Sequence, residues 1–252
     1  MRRADGAFVL EGVKLLEAAL SARAPVEAVY FAPEAIASPS AARVLVAVQA
    51  AGVRTFALRR QVIERVADTT TPQPVMAVAG RVDVPLEAAV ARATPFAPVV
   101  VCVDVRDPGN LGAIVRSAGA AGAAAVVACD SCADLYNPKT VRATAGALFG
   151  VPLVLERPAA EVLAELGRAG YRRVGAVARD GGDYAVMELP EHLALVLGNE
   201  AQGLDEATAR LLDDSVTVPM PGVTESLNVA MAATVLLFDV ARRRRSLAGR
   251  AP

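Results

Sequence analysis

The chain has 252 residues, enough for one large domain or two small ones. It is 54% hydrophobic but only 4% aromatic and has no tryptophan, so its core must be built from Ala, Val and Leu, which suits buried parallel strands under helices. A net charge of −1 argues against a protein that holds nucleic acid by bulk electrostatics, so any RNA contact must come from local arginines, and apolar stretches fall short of the ~20 residues of a membrane span.

The start, Met1-Arg-Arg-Ala-Asp-Gly6, has no apolar signal core, so a cytoplasmic protein is expected. Val9–Leu20 carries apolar residues at helical spacing, Val26–Phe31 reads as a strand, and Ala41–Ala51 as a second helix closed by Gly52. Val53–Leu58 and Val75–Ala79 are further strands. Thr69–Pro74 is a loop, because its two prolines cannot sit in a ladder. These elements make residues 1–82 a small α/β domain. Residues 83–97, with Pro85 and Pro95 around an Ala-rich segment, read as a short helix plus linker. From residue 98 to 252 strands and helices alternate. The strands are Pro98–Val103, Ala124–Ala128, Pro152–Leu155, Arg173–Ala178, Leu193–Leu197 and Ser215–Pro219. The helices are Asn110–Gly122, Pro138–Ala147, Ala159–Gly170, Asp205–Leu212 and Ser226–Arg245. That rhythm predicts a parallel-rich sheet with helices on both faces.

Three cysteines, Cys102, Cys129 and Cys132, are an odd count that fits free thiols in a reducing compartment. Cys129 and Cys132 form a C-x-x-C, but a zinc site needs two more ligands. Only Cys102 and the single histidine, His192, remain, both distant in sequence. No metal is expected. The glycines of Asp180-Gly-Gly-Asp183 and Gly119-Ala-Ala-Gly122 lack dinucleotide-fingerprint spacing, which disfavours a nicotinamide enzyme.

The chemistry concentrates in three loops, each following an apolar run: Asp107-Pro-Gly-Asn-Leu-Gly-Ala-Ile-Val-Arg-Ser117, Leu197-Gly-Asn-Glu-Ala-Gln-Gly-Leu204 and Val218-Pro-Met-Pro-Gly-Val-Thr-Glu-Ser-Leu-Asn-Val229. Ligands of open α/β sheets bind beyond the carboxyl ends of the strands, and two Gly/Pro loops there suit a flat heteroaromatic group. In wording and order the three loops resemble the motifs of the SpoU-type RNA ribose 2′-O-methyltransferases of the SPOUT superfamily, over roughly residues 97–245. The resemblance implies a SPOUT methyltransferase domain whose C-terminal third forms a deep trefoil knot. It also implies that residues 1–82 are a ribosomal-protein-like RNA-binding domain, with Glu11-Gly12 and Thr71-Pro-Gln-Pro74 echoing family wording.

By the same resemblance the cofactor is S-adenosylmethionine, met by Gly198, Val218, Met220 and Leu227. The catalytic set is Arg116, Asn110, Glu200, Ser226 and Asn228. A 2′-hydroxyl is a poor acid, and no motif offers a histidine. Arginine is a poor general base, so the expected part of Arg116 is to bind phosphate and hydroxyl and ease alkoxide formation, with the phosphate relaying the proton. Asn110 also stands where a helix cap belongs, Glu200 is expected to orient Arg116 or its loop, and Ser226 alone would pass as an N-cap. Arg142 and, more weakly, Lys139 are read as RNA contacts. Arg242–Arg245 reads as a helix C-terminus complementing its dipole. The expected substrate is structured RNA, ribosomal ahead of transfer RNA, and the expected assembly a homodimer. The alternative is a non-catalytic RNA-binding or ribosome-assembly factor on the same fold.

Overall fold

The structure, a computed structural model, describes residues 6–67 and 72–248. Of the predicted loop Thr69–Pro74, residues 69–71 lie outside the described residues. The N-terminal part is a four-stranded sheet built from β1 (Ala7–Glu11), β2 (Val26–Phe31), β3 (Arg54–Ala57) and β4 (Val75–Gly80), in the order β1-β4-β2-β3. β4 runs antiparallel to both its neighbours, and β3 pairs with β2 in parallel as an edge strand. α1 (Val13–Ser21) and α2 (Pro39–Ala50) cover one face, packing Leu15, Leu16, Val44 and Val48 against Phe8, Leu10 and Val29. The single helical run read over Val9–Leu20 is divided. Gly12 lies at φ 101°, a conformation that Cβ-bearing residues avoid, and the chain turns there from β1 into α1. A further helix, α3 (Arg60–Val66), has no counterpart among the elements expected from the sequence. It buries only Ile63, against Met76 on the opposite face of the sheet.

Residues 83–97 are not a loose tether. Within them α4 (Leu86–Val90) buries Leu86 and Ala89 in the core of the larger sheet, and the Val84 N–H donates to the Leu153 carbonyl at 2.8 Å. That sheet has seven parallel strands: β5 (Val99–Cys102), β6 (Ala125–Ala128), β7 (Leu153–Leu155), β8 (Arg172–Ala176), β9 (Gly182–Asp183), β10 (Leu193–Leu197) and β11 (Asp214–Thr217). Their order is β7-β6-β5-β10-β8-β11-β9, with every pairing parallel.

The central strands are apolar throughout because both faces are covered, and their alternation sorts side chains between two cores. Val100, Cys102, Val126, Leu195 and Leu197 face α5 (Pro108–Ala121) and α9 (Val229–Ala248). Val99, Val101, Val127, Ala194 and Val196 face α4 and α7 (Ala159–Arg168). The predicted helix from Pro138 shortens to α6 (Pro138–Ala143), followed by a 3₁₀ turn at Ala147–Phe149. The one at Asp205 shortens to α8 (Glu206–Ala209). The two sheets share a core: Phe8 of β1 is wedged against Tyr136 (centroids 4.6 Å apart) and Phe149 (6.3 Å). Tyr136 also accepts from the Val82 N–H at 2.8 Å and donates to Asp83 at 2.8 Å, tying down the chain as it crosses between domains.

Candidate active site

At the carboxyl ends of β8, β10 and β11 the chain encloses a cleft of about 370 Å³, within the size range of small-molecule pockets. Leu197, Val216, Val218 and Leu236 give it an apolar floor. The loops 198–204 and 218–227 wall it, bringing Gly198, Val218, Met220, Ser226 and Leu227 to one cavity. Gly198 is required by the turn itself, since a Cβ there would stand 2.4 Å from the Gly203 backbone. The turn closes through paired bonds between Asn199 and Gly203, each 2.9 Å. A cleft with an apolar floor, edged by the Gly-bearing loops and one carboxylate, has the chemistry to take an adenosyl group carrying a cationic centre.

Glu200 lines this cleft and also leaves it. One carboxylate oxygen accepts from the Asp107 N–H at 3.0 Å and from Asn110 Nδ2 at 3.1 Å, and the other from the Arg106 N–H at 3.3 Å. Asn110 in turn accepts from Asn228 Nδ2 at 2.9 Å. The directions follow from chemistry: a carboxylate only accepts, so Asn110 must present its amide nitrogen to Glu200 and its oxygen to Asn228. Asn228 then turns its own oxygen to the Ala230 N–H at 2.9 Å, capping α9. Burial alone would raise the Glu200 pKa, but the bonds from Asn110, Asp107 and Arg106 outweigh it and hold the carboxyl below its ordinary value.

Two capping expectations change. Asp107, not Asn110, caps α5, accepting from the Asn110 N–H at 2.9 Å. The helix therefore begins two residues early and Asn110 keeps its side chain for the network. α9 begins at Val229 rather than Ser226, and its cap is Asn228. Ser226 is left exposed on the rim of the cleft.

Arg116 is exposed on α5 and has no hydrogen-bond or ion-pair partner among the described residues. Glu200 holds the loop before α5, and Arg116 is not among its partners. The neighbouring Ser117 bonds Thr234 of α9 at 2.7 Å, docking the two helices. Lys139 pairs with Asp107 at 3.0 Å, and this bond, ahead of the one from Asn110, lowers the Asp107 pKa. Arg142 turns toward the seam between the sheets and meets the buried Glu11 at 3.4 Å. Within Arg242–Arg245, Arg243 donates to the carbonyls of Met187, Tyr184 and Ala185, and Arg244 to that of Gly122. These two are staples of the fold rather than a free patch.

Asn199 and Asp104 were not singled out in the sequence. Asn199 Nδ2 donates to the Asp104 carbonyl at 3.0 Å and carboxylate at 3.1 Å, while its oxygen accepts from Ala201 and Gln202. Asp104 sits at φ 58°, and only the quoted motif around Asn199 hinted at this contact. The C-x-x-C thiols are inert. Burial pushes Cys129 up to about 12 and Cys132 up to about 11, so both stay protonated near neutrality. Among the described residues no group of His, Cys, Asp and Glu gathers as a metal ligand set, and no helix is long and apolar enough to cross a membrane.

The profile of the SpoU rRNA Methylase family matches residues 97–238. The chain belongs to this family. A second profile, the MRM3-like substrate binding domain, matches residues 1–77 of this SpoU-family chain. Among relatives, the 23S rRNA (guanosine(2553)-2′-O)-methyltransferase RlmP of Bacillus subtilis is 34% identical over 239 residues, 95% of this chain and 90% of that one. The 23S rRNA (uridine(2479)-2′-O)-methyltransferase of Streptomyces viridochromogenes is 40% identical over 144 residues, 55% of this chain and 50% of the other. Among solved structures, the SpoU methyltransferase AviRb from Streptomyces viridochromogenes in complex with AdoMet superposes with a TM-score of 0.86 at 30% identity. The match covers 97% of this SpoU-family chain and 93% of AviRb.

Proposed function

We propose that the protein transfers a methyl group from S-adenosylmethionine to a ribose 2′-hydroxyl of ribosomal RNA. The observation that carries this reading is Glu200, which lines the cleft and at the same time holds Asn110 and, through it, Asn228. Cofactor slot and the first-motif helix are thereby one hydrogen-bonded body. S-adenosylmethionine, when bound, supplies a methyl on a cationic sulfonium. The chain's own residues align the hydroxyl with that methyl. Gly198, Val218, Met220 and Leu227 seat the cofactor, and Ser226 meets its polar rim or the ribose. Arg116, the exposed cation of α5, binds the target phosphate and hydroxyl, so that the hydroxyl proton passes to that phosphate as the oxygen takes the methyl and the sulfonium leaves as a neutral thioether. Lys139 and Arg142, one turn apart on α6, contact the RNA backbone, the latter from the domain seam.

Residues 1–82 serve as the RNA-presenting domain, 83–97 as the connection and 98–252 as the catalytic domain. In the C-terminal third the chain runs from β8 to the edge strand β9 and back to β10 between β5 and β8, a path consistent with a trefoil knot. The working form is a cytoplasmic homodimer. Met231 and Phe238, 62% and 48% exposed and two helical turns apart on α9, supply an apolar face for it.

The test is transfer of labelled methyl from S-adenosylmethionine to total RNA, with fractions separated and the product mapped. Label on one ribosomal ribose is the expected result. Label in transfer RNA alone overturns the substrate, cofactor binding without any label points to an assembly-stage RNA, and no label without cofactor binding points to the non-catalytic assembly factor.

A further inference from the structure

The N-terminal sheet has a second face, opposite α1 and α2, that is only partly covered. Directly paired residues point to the same side, and one row across this face runs Glu11, Met76, Tyr30, Phe56. Ile63 of α3 seats on Met76 and closes the middle of the row. At the inner end, Glu11 meets Arg142 beside a cleft of about 260 Å³. At the outer end Tyr30 is half-buried and the row opens at Phe56 among the described residues. Tyr30 and Phe56 stack with centroids 5.4 Å apart and planes 20° from parallel, and Phe56, on the edge strand, is 43% exposed.

Charge identifies the occupant. Arg54 lies two residues before Phe56 on the same face of β3 and is exposed. Residues 53–67 hold four arginines, Arg54, Arg59, Arg60 and Arg65, against the single carboxylate of Glu64, in a chain whose net charge is −1. Glu64 is taken by Arg60 at 2.8 Å, and Arg54, Arg59 and Arg65 have no ion-pair partner among the described residues. An aromatic face with the unpaired Arg54 beside it, in a segment rich in arginine, suits a ligand that is flat, apolar and anionic together. A splayed nucleotide has that composition, since its base stacks while its phosphates pair with guanidinium groups. A second protein copy would bring the same cations against themselves.

We propose that the outer edge of the N-terminal sheet is a base-stacking site, in which an unpaired RNA base lies on Phe56, backed by Tyr30, and Arg54 takes the adjoining phosphate. The site belongs to substrate capture and is independent of which ribose is methylated.

The absence of tryptophan gives a direct probe. Phe56→Trp in the full chain places the only indole of the protein at the stack. Its emission is expected to be quenched by a short mixed-sequence single-stranded RNA, weakly by the blunt duplex of the same sequence, and less as salt rises. Phe56→Ala should weaken binding of labelled single-stranded RNA about tenfold, with S-adenosylmethionine affinity unchanged. Phe56→Tyr should restore binding, whereas Phe56→Leu, apolar but without a ring, should not. Unmoved emission while the RNA is demonstrably bound, or a Leu variant that binds like the parent, overturns the proposal. A Phe56→Ala variant that changes sedimentation rather than RNA affinity overturns it in favour of a protein–protein contact. Quenching without any methyl transfer would keep this site and reject the methyltransferase reading instead.

Discussion

Glu200 satisfies three donors with two oxygens, and those donors lie on the loop and first turn of another motif. Replacing it with Gln keeps the shape but turns one acceptor into a donor facing N–H groups, a mismatch worth about 1–3 kcal/mol. Glu200→Gln should therefore lower methyl transfer roughly 10- to 100-fold, visible in single-turnover rates, while leaving the circular dichroism spectrum unchanged. The same carboxyl sets an acid limit. Its folded pKa lies below the ordinary value, so its contribution is present above that value and is lost as pH falls through the lowered one. Unfolding free energy should accordingly be level through neutrality and decline below about pH 4.3, with a shallower decline in Glu200→Gln. Arg116 differs in kind, because it holds nothing together among the described residues. Arg116→Ala should cut methyl transfer by about 10²–10³-fold at unchanged cofactor affinity and melting temperature. A melting temperature that falls with it would show a structural part instead.

At the scale of elements, α9 begins where Asn228 both caps it and reaches Asn110. Asn228→Ala should cost about 1 kcal/mol of stability for the cap, measured by urea unfolding, and additionally weaken methyl transfer, because Asn110 loses the bond that fixes its amide. Much of the element pattern was legible in the sequence. Leu193–Leu197 reads as a central strand because burial on both faces leaves no polar position in it. β9 escaped because Gly182 and Asp183 carry no apolar signal and become a strand only by pairing with β11. α3 escaped because Ile63 is its one buried residue, and β1 merged with α1 because only the backbone at Gly12 separates them. The residues of the cleft were visible as loops after strands. Their wiring was not, since Asn110–Glu200 and Asn110–Asn228 join positions 90 and 118 residues apart, a relation that only packing creates. The small cap shift at Asp107 had the same origin: Asp and Asn are both good caps, and local preference does not choose between them.

For the whole molecule, the decisive contact between the sheets is Phe8 against Tyr136 and Phe149, with Glu11–Arg142 alongside. Phe8 is 1% exposed, and truncating such a ring costs about 3–5 kcal/mol. Phe8→Ala should therefore divide a single calorimetric transition into two, the N-terminal sheet melting first. If one transition persists at a lower temperature, the halves are joined by more than this wedge. The position of β10 has a different consequence, in the order of synthesis. It is the middle strand of the larger sheet, lying between β5 and β8, yet both neighbours precede it in the chain. A ribosome that has delivered residues up to 190 has made one flank, β7-β6-β5, with an apolar edge unpaired, while β8 and β9 still lack both β10 and the β11 that joins them. The catalytic half thus cannot ripen piece by piece as it emerges. It waits for its last quarter, which leaves truncated translation products without a finished sheet and open to proteolysis.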